Sequence, residues 1–268
     1  YSTQQHFTYG EINNPRIYCG VIIDNTYLYM GTDNGILIYN YRTDRYEQPA
    51  TDFPTDVRTM ALQGDTLWIG ALNGLYTYQL QNRKLSPLDT KRNGLPHNTI
   101  YSIIRTGDNQ IYVGTYNGLC RYIASNGKFE KIPLPVNSSQ SNLFVNSLLE
   151  DTGRQCIWIG TEGYLFQYFP STGQMKQTEA FHNNSIKSLA LDGNGDLLAG
   201  TDNGLYVYHN DVTPLQHIIH DSRNIQSLTN NIIWNIFADQ EHNIWLGTDY
   251  GISLSRYNSA LQFIPISQ

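Results

Sequence analysis

Six mostly apolar runs recur along the chain, and each is closed by a short polar turn. The runs are rich in Ile, Leu and Val and are bounded by Gly, Asn or Asp, as expected of strands that are buried on both faces. They lie at residues 17–24, 57–63, 100–106, 144–151, 186–192 and 232–239. The pattern predicts six similar β-modules, each beginning with one of these runs as its innermost strand.

One short phrase follows every apolar run and makes the repeat explicit. Its last copy reads Trp245-Leu-Gly-Thr-Asp-Tyr-Gly251, and the first glycines of the six copies stand at 31, 70, 114, 160, 200 and 247. Their mean spacing of 43.2 residues lies in the range of a four-stranded propeller blade. Asn-Gly or a similar pair then predicts a hairpin turn into a third strand. The chain is therefore predicted to be all-β, a β-propeller of four-stranded antiparallel blades.

Two positions of this phrase are expected to serve packing. The residue two before the first glycine is Trp or Tyr in five of the six copies, and its ring is expected to wedge between blades. The glycine itself is expected to let the next blade approach closely. The fourth copy departs from the pattern, with Glu162-Gly163-Tyr164 at the turn, which leaves its turn geometry open.

The blade count follows from the spacing. Six complete blades are predicted at about 17–48, 57–88, 100–133, 144–178, 186–219 and 232–267, all within a single propeller domain. Residues 1–9 are predicted to be a lone outer strand, because Tyr1 to Phe7 mirrors Tyr257 to Phe263. Seven repeats would need about 302 residues, about 34 more than the 268 of this chain. We expect part of a seven-bladed ring from a longer chain; a closed six-bladed ring is the alternative.

Three stretches carry a family resemblance. They are Asn243-Ile-Trp-Leu-Gly-Thr-Asp-Tyr-Gly-Ile252, Asn117-Gly-Leu-Cys-Arg-Tyr122 and the leader from His220 to Phe237. They resemble the two-component regulator propeller repeat, above all the periplasmic sensor regions of hybrid two-component systems in gut Bacteroidetes. The resemblance extends over essentially the whole chain.

The resemblance implies a non-catalytic periplasmic sensor module. Its ligand would be an oligosaccharide released from a polysaccharide, and its signal would pass through a membrane helix to a cytoplasmic histidine kinase. Its partners within the parent chain would be a second seven-bladed propeller and a β-sandwich, and a homodimer is left open. Contact with the membrane would come only through segments of the parent protein that lie outside this sequence.

Composition excludes some other classes. The net charge of −6 and the sequence pI near 5.6 argue against nucleic acid, whose phosphates require clustered Lys and Arg. The three cysteines, Cys19, Cys120 and Cys156, are widely spaced and follow no zinc or disulfide pattern. No apolar run reaches the length of a membrane span.

Two alternative functions compete with the sensor. A carbohydrate-active enzyme, hydrolase or lyase, would need a catalytic pair such as two carboxylates about 5 to 10 Å apart. The recurring acids, Asp24, Asp151, Asp192 and Asp239, are instead expected to cap turns. His217 and His220 are three apart, so in an extended segment they would point to opposite faces. We predict no catalytic residue, metal site or cofactor. A protein-docking scaffold, the other alternative, would expose an apolar patch.

The candidate ligand residues lie on one predicted face of the ring. In a propeller, the turns between second and third strands share a side with the connections between blades, and such loops commonly carry function. The turns supply Asp33, Tyr116, Glu162, Asp202, Asp249 and Tyr250, and the connections supply His97, His182 and Arg223. Trp234 begins an innermost strand and is expected either to face the central channel or to pack between blades. Any one of these residues would also suit a solvated loop.

Overall fold

Within the residues that the structure describes, the chain is an all-β propeller of six four-stranded antiparallel sheets, called blades one to six. The computed structural model describes residues 15–47, 49, 51–135, 143–178, 184–209, 214–257 and 261–266. Across these residues, no helix is long and apolar enough to cross a membrane. The predicted outer strand at 1–9 lies outside the described residues.

Each of the first three blades is a simple meander in chain order. Blade one consists of β1 (Ile17–Ile23), β2 (Tyr27–Thr32), β3 (Gly35–Asn40) and β4 (Arg45–Glu47). Blade two consists of β5 (Val57–Gln63), β6 (Thr66–Ala71), β7 (Gly74–Gln79) and β8 (Lys84–Leu88). Blade three consists of β9 (Ile100–Arg105), β10 (Ile111–Thr115), β11 (Gly118–Ile123) and β12 (Lys128–Ile132).

The last three blades repeat that order. Blade four consists of β13 (Val145–Asp151), β14 (Cys156–Thr161), β15 (Leu165–Phe169) and β16 (Gln174–Gln177). Blade five consists of β17 (Ile186–Leu191), β18 (Leu197–Thr201), β19 (Gly204–Tyr208) and β20 (Gln216–Ile218). Blade six consists of β21 (Ile233–Ala238), β22 (Ile244–Thr248), β23 (Gly251–Ser255) and β24 (Phe263–Ile266). The predicted six blades of four strands are confirmed.

The hydrophobic core is divided into layers between successive blades. One layer joins Ile23 of blade one to Ile69 of blade two, and another joins Trp68 of blade two to Val113 of blade three. Every innermost strand packs against the next one, from β1 through β5, β9, β13 and β17 to β21. Each sheet is therefore covered on both faces wherever it has two neighbours, which explains why its innermost strand reads as a continuous apolar run.

The repeat glycine is the point of closest approach between blades. A Cβ placed on Gly70 would lie 2.5 Å from Cγ2 of Ile100, the first residue of the next innermost strand. The same clash, at 2.6 to 2.7 Å, occurs at four other interfaces. The five pairs are Gly31 with Val57, Gly70 with Ile100, Gly114 with Val145, Gly160 with Ile186, and Gly200 with Ile233. A β-branched side chain of each blade thus fills the space that a glycine leaves in the preceding blade. The close approach of adjacent blades at the glycine is as predicted, and the β-branched partner is found in the structure.

This packing stops at both ends of the row of blades. The nearest atoms to a Cβ on Gly247 belong to its own blade and lie 4.0 Å away. Ile17 holds in blade one the position of Val57, yet it is 58% exposed, whereas Val57 is fully buried. Phe237 of blade six is 62% exposed, and its counterpart Ala61 is buried against blade three. Among the described residues, no strand packing of the kind seen elsewhere joins β21 to β1.

We predict that Gly70→Ala destabilises the 268-residue chain by about 1–3 kcal/mol, because the added methyl overpacks Ile100 of the next blade and Thr59 of its own blade. Gly247→Ala is the matched control. It adds the same atom at the same repeat position without a close neighbour, so its stability should stay level or rise slightly. Urea unfolding of both variants measures the difference, and equal losses would contradict the packing described.

Candidate functional site

A β-bulge interrupts the innermost strand of every blade at the same place. In β5 the register with β6 shifts between Val57 and Thr59, which leaves Arg58 as the extra residue. The equivalent shift occurs in the other five blades. A bulge re-aims its side chain out of the regular alternation of the strand. The six side chains, called the bulge residues below, are Tyr18, Arg58, Tyr101, Asn146, Lys187 and Trp234.

The bulge residues lie beside the turns between second and third strands, where the sequence placed its candidates. We call the surface formed by the six bulge residues and the turn residues Asp33, Tyr116, Glu162, Asp202, Asp249 and Tyr250 the bulge face. Contacts between neighbouring blades link several of its members.

At blades five and six, the bulge face presents an indole held by polar partners. The Lys187 ammonium lies 4.3 Å from the centroid of the Trp234 ring and 2.8 Å from Oδ1 of Asp202. The Trp234 indole N–H donates to Oδ1 of Asp249. Trp234 nevertheless remains 56% exposed. Trp234 therefore neither packs between blades nor moves freely, but offers an aromatic surface in a fixed orientation.

At blades four and five, Ser185 joins three side chains of the bulge face. Its hydroxyl donates to Oε1 of Glu162 at 3.1 Å, and its backbone N–H donates to Oδ2 of Asp202 at 3.2 Å. The Asn146 amide donates to the Ser185 hydroxyl at 2.9 Å. The divergent turn of the fourth copy still closes, because Thr161 N–H donates to the Tyr164 carbonyl at 3.0 Å. The network that begins at Trp234 thus continues across blade five to blade four.

At blades three and four, aromatic rings form a row. The His97 and Tyr116 rings are 4.9 Å apart between centroids, Tyr116 and Phe144 are 4.1 Å apart, and Phe144 and Tyr101 are 6.1 Å apart. All four residues are partly exposed. Burial, followed by the neighbouring Tyr116 phenol, raises the pKa of Tyr101, so its hydroxyl stays protonated near neutral pH. The row offers flat rings with an uncharged hydroxyl.

At blades one and two, the bulge face carries a stacked cation. The Arg58 guanidinium lies 3.8 Å from the centroid of the Tyr18 ring and 3.2 Å from Asp56. The nearby Asp33 carboxylate accepts the backbone N–H of Arg16 at 3.1 Å. This part of the face therefore combines an aromatic ring with a paired charge.

The structure groups the predicted site residues unevenly. It joins His97 to Tyr116, and Asp249 to Trp234, while Glu162 and Asp202 share Ser185. Arg223 pairs with Asp221 of its own loop and is 89% exposed, and Tyr250 is 81% exposed. His182 lies outside the described residues.

Five of the six bulge residues were not among the candidates predicted from the sequence, although all six occupy aligned positions in the repeat. They break the apolar run with different polar or aromatic side chains, a signal that was present in the sequence. The missed residues are Tyr18, Arg58, Tyr101, Asn146 and Lys187.

The recurring acids cap turns, as predicted, in three of four blades. Asp192 and Asp239 each accept two turn N–H groups through Oδ1, and Asp151 accepts that of Arg154. Asp24 differs, because it lies in the turn with φ 51° and accepts a bond from Thr26 through its carbonyl oxygen.

The two histidines considered as metal ligands bond to separate backbone carbonyls. His217 Nε2 contacts the Asn203 carbonyl, and His220 Nδ1 contacts that of Leu228. The described residues contain no group of three His, Cys, Asp or Glu that could hold a metal ion.

Comparison with protein families identifies the repeat. Residues 94–117 and 227–250 match the model of the two-component regulator propeller. The chain therefore carries repeats of this type, which confirms the resemblance seen in the sequence. It is also 28% identical over 270 residues to histidine kinase P4 of Formosa agariphila, a match covering 89% of this chain and 18% of that protein.

Solved structures give closer matches. The extracellular domain of the hybrid two-component system BT4673 from B. thetaiotaomicron superposes with a TM-score of 0.92 at 92% identity, covering 97% of this chain and 35% of that one. The extracellular domain of the hybrid two-component system BT3049 from B. thetaiotaomicron gives a TM-score of 0.67 at 21% identity, covering 85% and 32% of the two chains. The second match supports the fold alone. The chain thus spans about a third of the solved domains and less of the curated relative.

We predict that Asp151→Asn costs about 3 kcal/mol at pH 7, because this buried carboxylate accepts the Trp158 indole N–H and pairs with Arg154. Burial would raise the pKa of Asp151, but the bonds from Trp158 and Arg154 outweigh it and lower the pKa below its usual value. The lowered pKa stabilises the fold above the unfolded-state pKa near 4, and this stabilisation disappears as the pH falls through the folded-state pKa.

Urea unfolding at pH 7 and at acid pH measures this effect, with the exposed Asp52→Asn as control. The gap between wild type and Asp151→Asn should narrow in acid. A gap that stays constant with pH would contradict the assigned role of the Asp151 charge.

Proposed function

We propose that this chain is a non-catalytic sensor module in the extracellular, periplasmic part of a hybrid two-component signalling protein. It binds oligosaccharides from polysaccharide breakdown on its bulge face, and binding is relayed to a histidine kinase in the parent protein. The observation that carries this proposal is the 92% identity, over 97% of the chain, to the extracellular domain of a hybrid two-component system.

The layout of the parent protein is part of the proposal. The solved BT4673 chain is nearly three times as long as the part that this chain covers. We expect a second propeller and a β-sandwich to adjoin this module, and a homodimer of the parent could relay the signal. A ligand transmits such a signal only if it binds one domain arrangement better than another.

The chemistry of the bulge face supports a saccharide ligand. Sugars present apolar C–H patches, which stack on aromatic rings, and hydroxyl groups that need fixed donors and acceptors. Trp234 and the row from His97 to Tyr101 supply rings on two sides of the face. Asp202 and Glu162 lie between them with oriented oxygens. Because each polar group is already held by a neighbour, little side-chain entropy is lost on binding.

We also propose that the six blades belong to a seven-bladed ring, completed by a blade from elsewhere in the parent chain. The support lies at the two ends of the row. Among the described residues, Gly247 has the backbone of a repeat glycine but no β-branched partner, and Ile17 is a β-branched residue with no glycine to fill. Such apolar faces are a liability unless they are covered.

We predict that Trp234→Ala and Tyr116→Ala each weaken oligosaccharide binding about five- to thirtyfold, because each removes a stacking ring worth about 1–2 kcal/mol. Calorimetry with the intact extracellular region, titrated with tetra- to octasaccharides from plant and host glycans, measures the effect. Tyr41→Ala, which removes an exposed ring outside the bulge face, is the control and should leave affinity unchanged.

Two results would contradict the proposed function. One is the absence of binding by any oligosaccharide in the panel. The other is the appearance of hydrolysis or elimination products, which would indicate a propeller enzyme instead.

We predict that Gly247→Ala becomes destabilising, by about 1–3 kcal/mol, once the chain is part of its intact parent region. The seventh blade would then bring a β-branched side chain against residue 247, as Ile100 lies against Gly70. Thermal unfolding of the variant, in the 268-residue chain and in the intact region, makes the comparison. If Gly247→Ala changes the unfolding temperature equally in the 268-residue chain and in the intact region, the result would argue for an open or six-bladed ring.

A further inference from the structure

The interface between two neighbouring blades is called a seam below. We consider its outer part, on the side of the hairpins that join first to second strands. Blade two closes its seam with Trp68, whose indole N–H donates to Oε1 of Gln63 at 3.0 Å. The Gln63 amide then reaches the Asn109 carbonyl of blade three at 2.7 Å. An indole and a bridging side chain together fill this seam.

Blade four closes its seam in the same way with different residues. The Trp158 indole donates to Asp151 at 3.0 Å, and Arg154 joins Asp151 to the Gly195 carbonyl of blade five. Arg154 also donates to the His209 carbonyl of blade five at 3.2 Å. Here too an indole is backed by a side chain that crosses to the next blade.

The seam between blades three and four lacks both parts. Tyr112 stands where blades two and four have Trp, and Thr106 stands where they have Gln63 and Asp151. Two contacts still cross this seam. The Glu150 carboxylate accepts the Gly107 N–H through both oxygens at 2.9 Å, and the rings of Tyr112 and Tyr168 meet edge to face with their centroids 6.3 Å apart. A cavity of about 760 Å³ opens here, a size that suits a small ligand.

We propose that this seam cavity is a second saccharide site, which takes a mono- or disaccharide unit. Its walls carry the Asp108 and Glu150 carboxylates, the Gln110 amide and the Arg121 guanidinium, and the partly exposed Pro170 adds an apolar surface. Carboxylates accept from sugar hydroxyls, and a guanidinium donates to them. The polar and apolar walls thus match the two kinds of surface on a pyranose ring.

The walls of the seam cavity are held before any ligand arrives. Arg121 is fixed by an ion pair with Glu130 at 2.8 Å, and Glu150 is fixed by Gly107. Thr106 donates to Asp108. The seam cavity lies across the ring from the bulge face, so it is a separate site. The choice of a saccharide ligand rests on the proposed function.

A matched pair of variants tests this site. Ser171 is an exposed residue at the rim of the cavity, in the turn between β15 and β16. Ser125 occupies the same turn position in blade three, is also exposed and does not line the cavity. Ser171→Trp would block the entrance without touching the core, and Ser125→Trp adds the same bulk to the matching turn. Tyr112→Trp would restore the indole found in blades two and four.

The experiment is a calorimetric and saturation-transfer NMR titration of the intact extracellular region. The probes are glucose, galactose, xylose, cellobiose and lactose. Wild type and Ser125→Trp should bind at least one probe with equal affinity. Ser171→Trp and Tyr112→Trp should bind the same probe at least tenfold more weakly. The proposal is overturned if no probe binds wild type, if Ser171→Trp binds as wild type does, or if both serine variants lose binding equally.

The outcome separates this site from the proposed function. Trp234→Ala should leave the binding of these small probes unchanged, because Trp234 lies on the bulge face. If longer oligosaccharides fail to bind while a probe binds in a Ser171-dependent manner, the seam site stands and the sensor proposal fails. If longer oligosaccharides bind and no probe binds in a Ser171-dependent manner, the sensor proposal stands and the seam site fails.

Discussion

The fold depends on one contact, in which a glycine of each blade receives a β-branched side chain of the next. The five pairs in this chain differ only in whether the inserted residue is Val or Ile. A methyl group on the glycine would lie 2.5–2.7 Å from that side chain, so the interfaces leave no room for a larger residue. The spacing of the blades follows from this contact, and the Trp68 and Trp158 rings farther out fill the seams of blades two and four.

The same contact positions the bulge face. The inserted residue immediately precedes the bulge residue, as Val57 precedes Arg58 and Ile233 precedes Trp234. Anchoring the first therefore sets where the second emerges. The packed position accepts only Val or Ile, whereas the bulge position holds Tyr, Arg, Asn, Lys or Trp. The side chain is thus restricted at the packed position, whereas the next position varies in size, charge and hydrogen-bonding groups from blade to blade.

The sequence was sufficient to predict the blades, the hairpins and the packing roles of glycine and tryptophan, because these recur with fixed spacing. It also placed Asp202 and Tyr116 on the face where the structure finds them. Five of the six bulge residues were not predicted, because a period-two alternation does not mark an extra residue in a strand, although their aligned positions in the repeat do. The seam cavity was not predicted from the sequence either. It arises because the short Thr106 side chain makes no bridge to blade four, and such a missing contact is visible only in three dimensions. Asp24 departed from its repeat because a left-handed backbone places the residue itself in the turn.

A crystal structure of the intact extracellular region with a bound oligosaccharide tests the sensor assignment most directly. We expect sugar rings on the bulge face, with at least one pyranose stacked on Trp234 or on the row from His97 to Tyr101, and hydroxyl groups bonded to Asp202 or Glu162. An oligosaccharide bound with the bulge face empty would contradict this assignment.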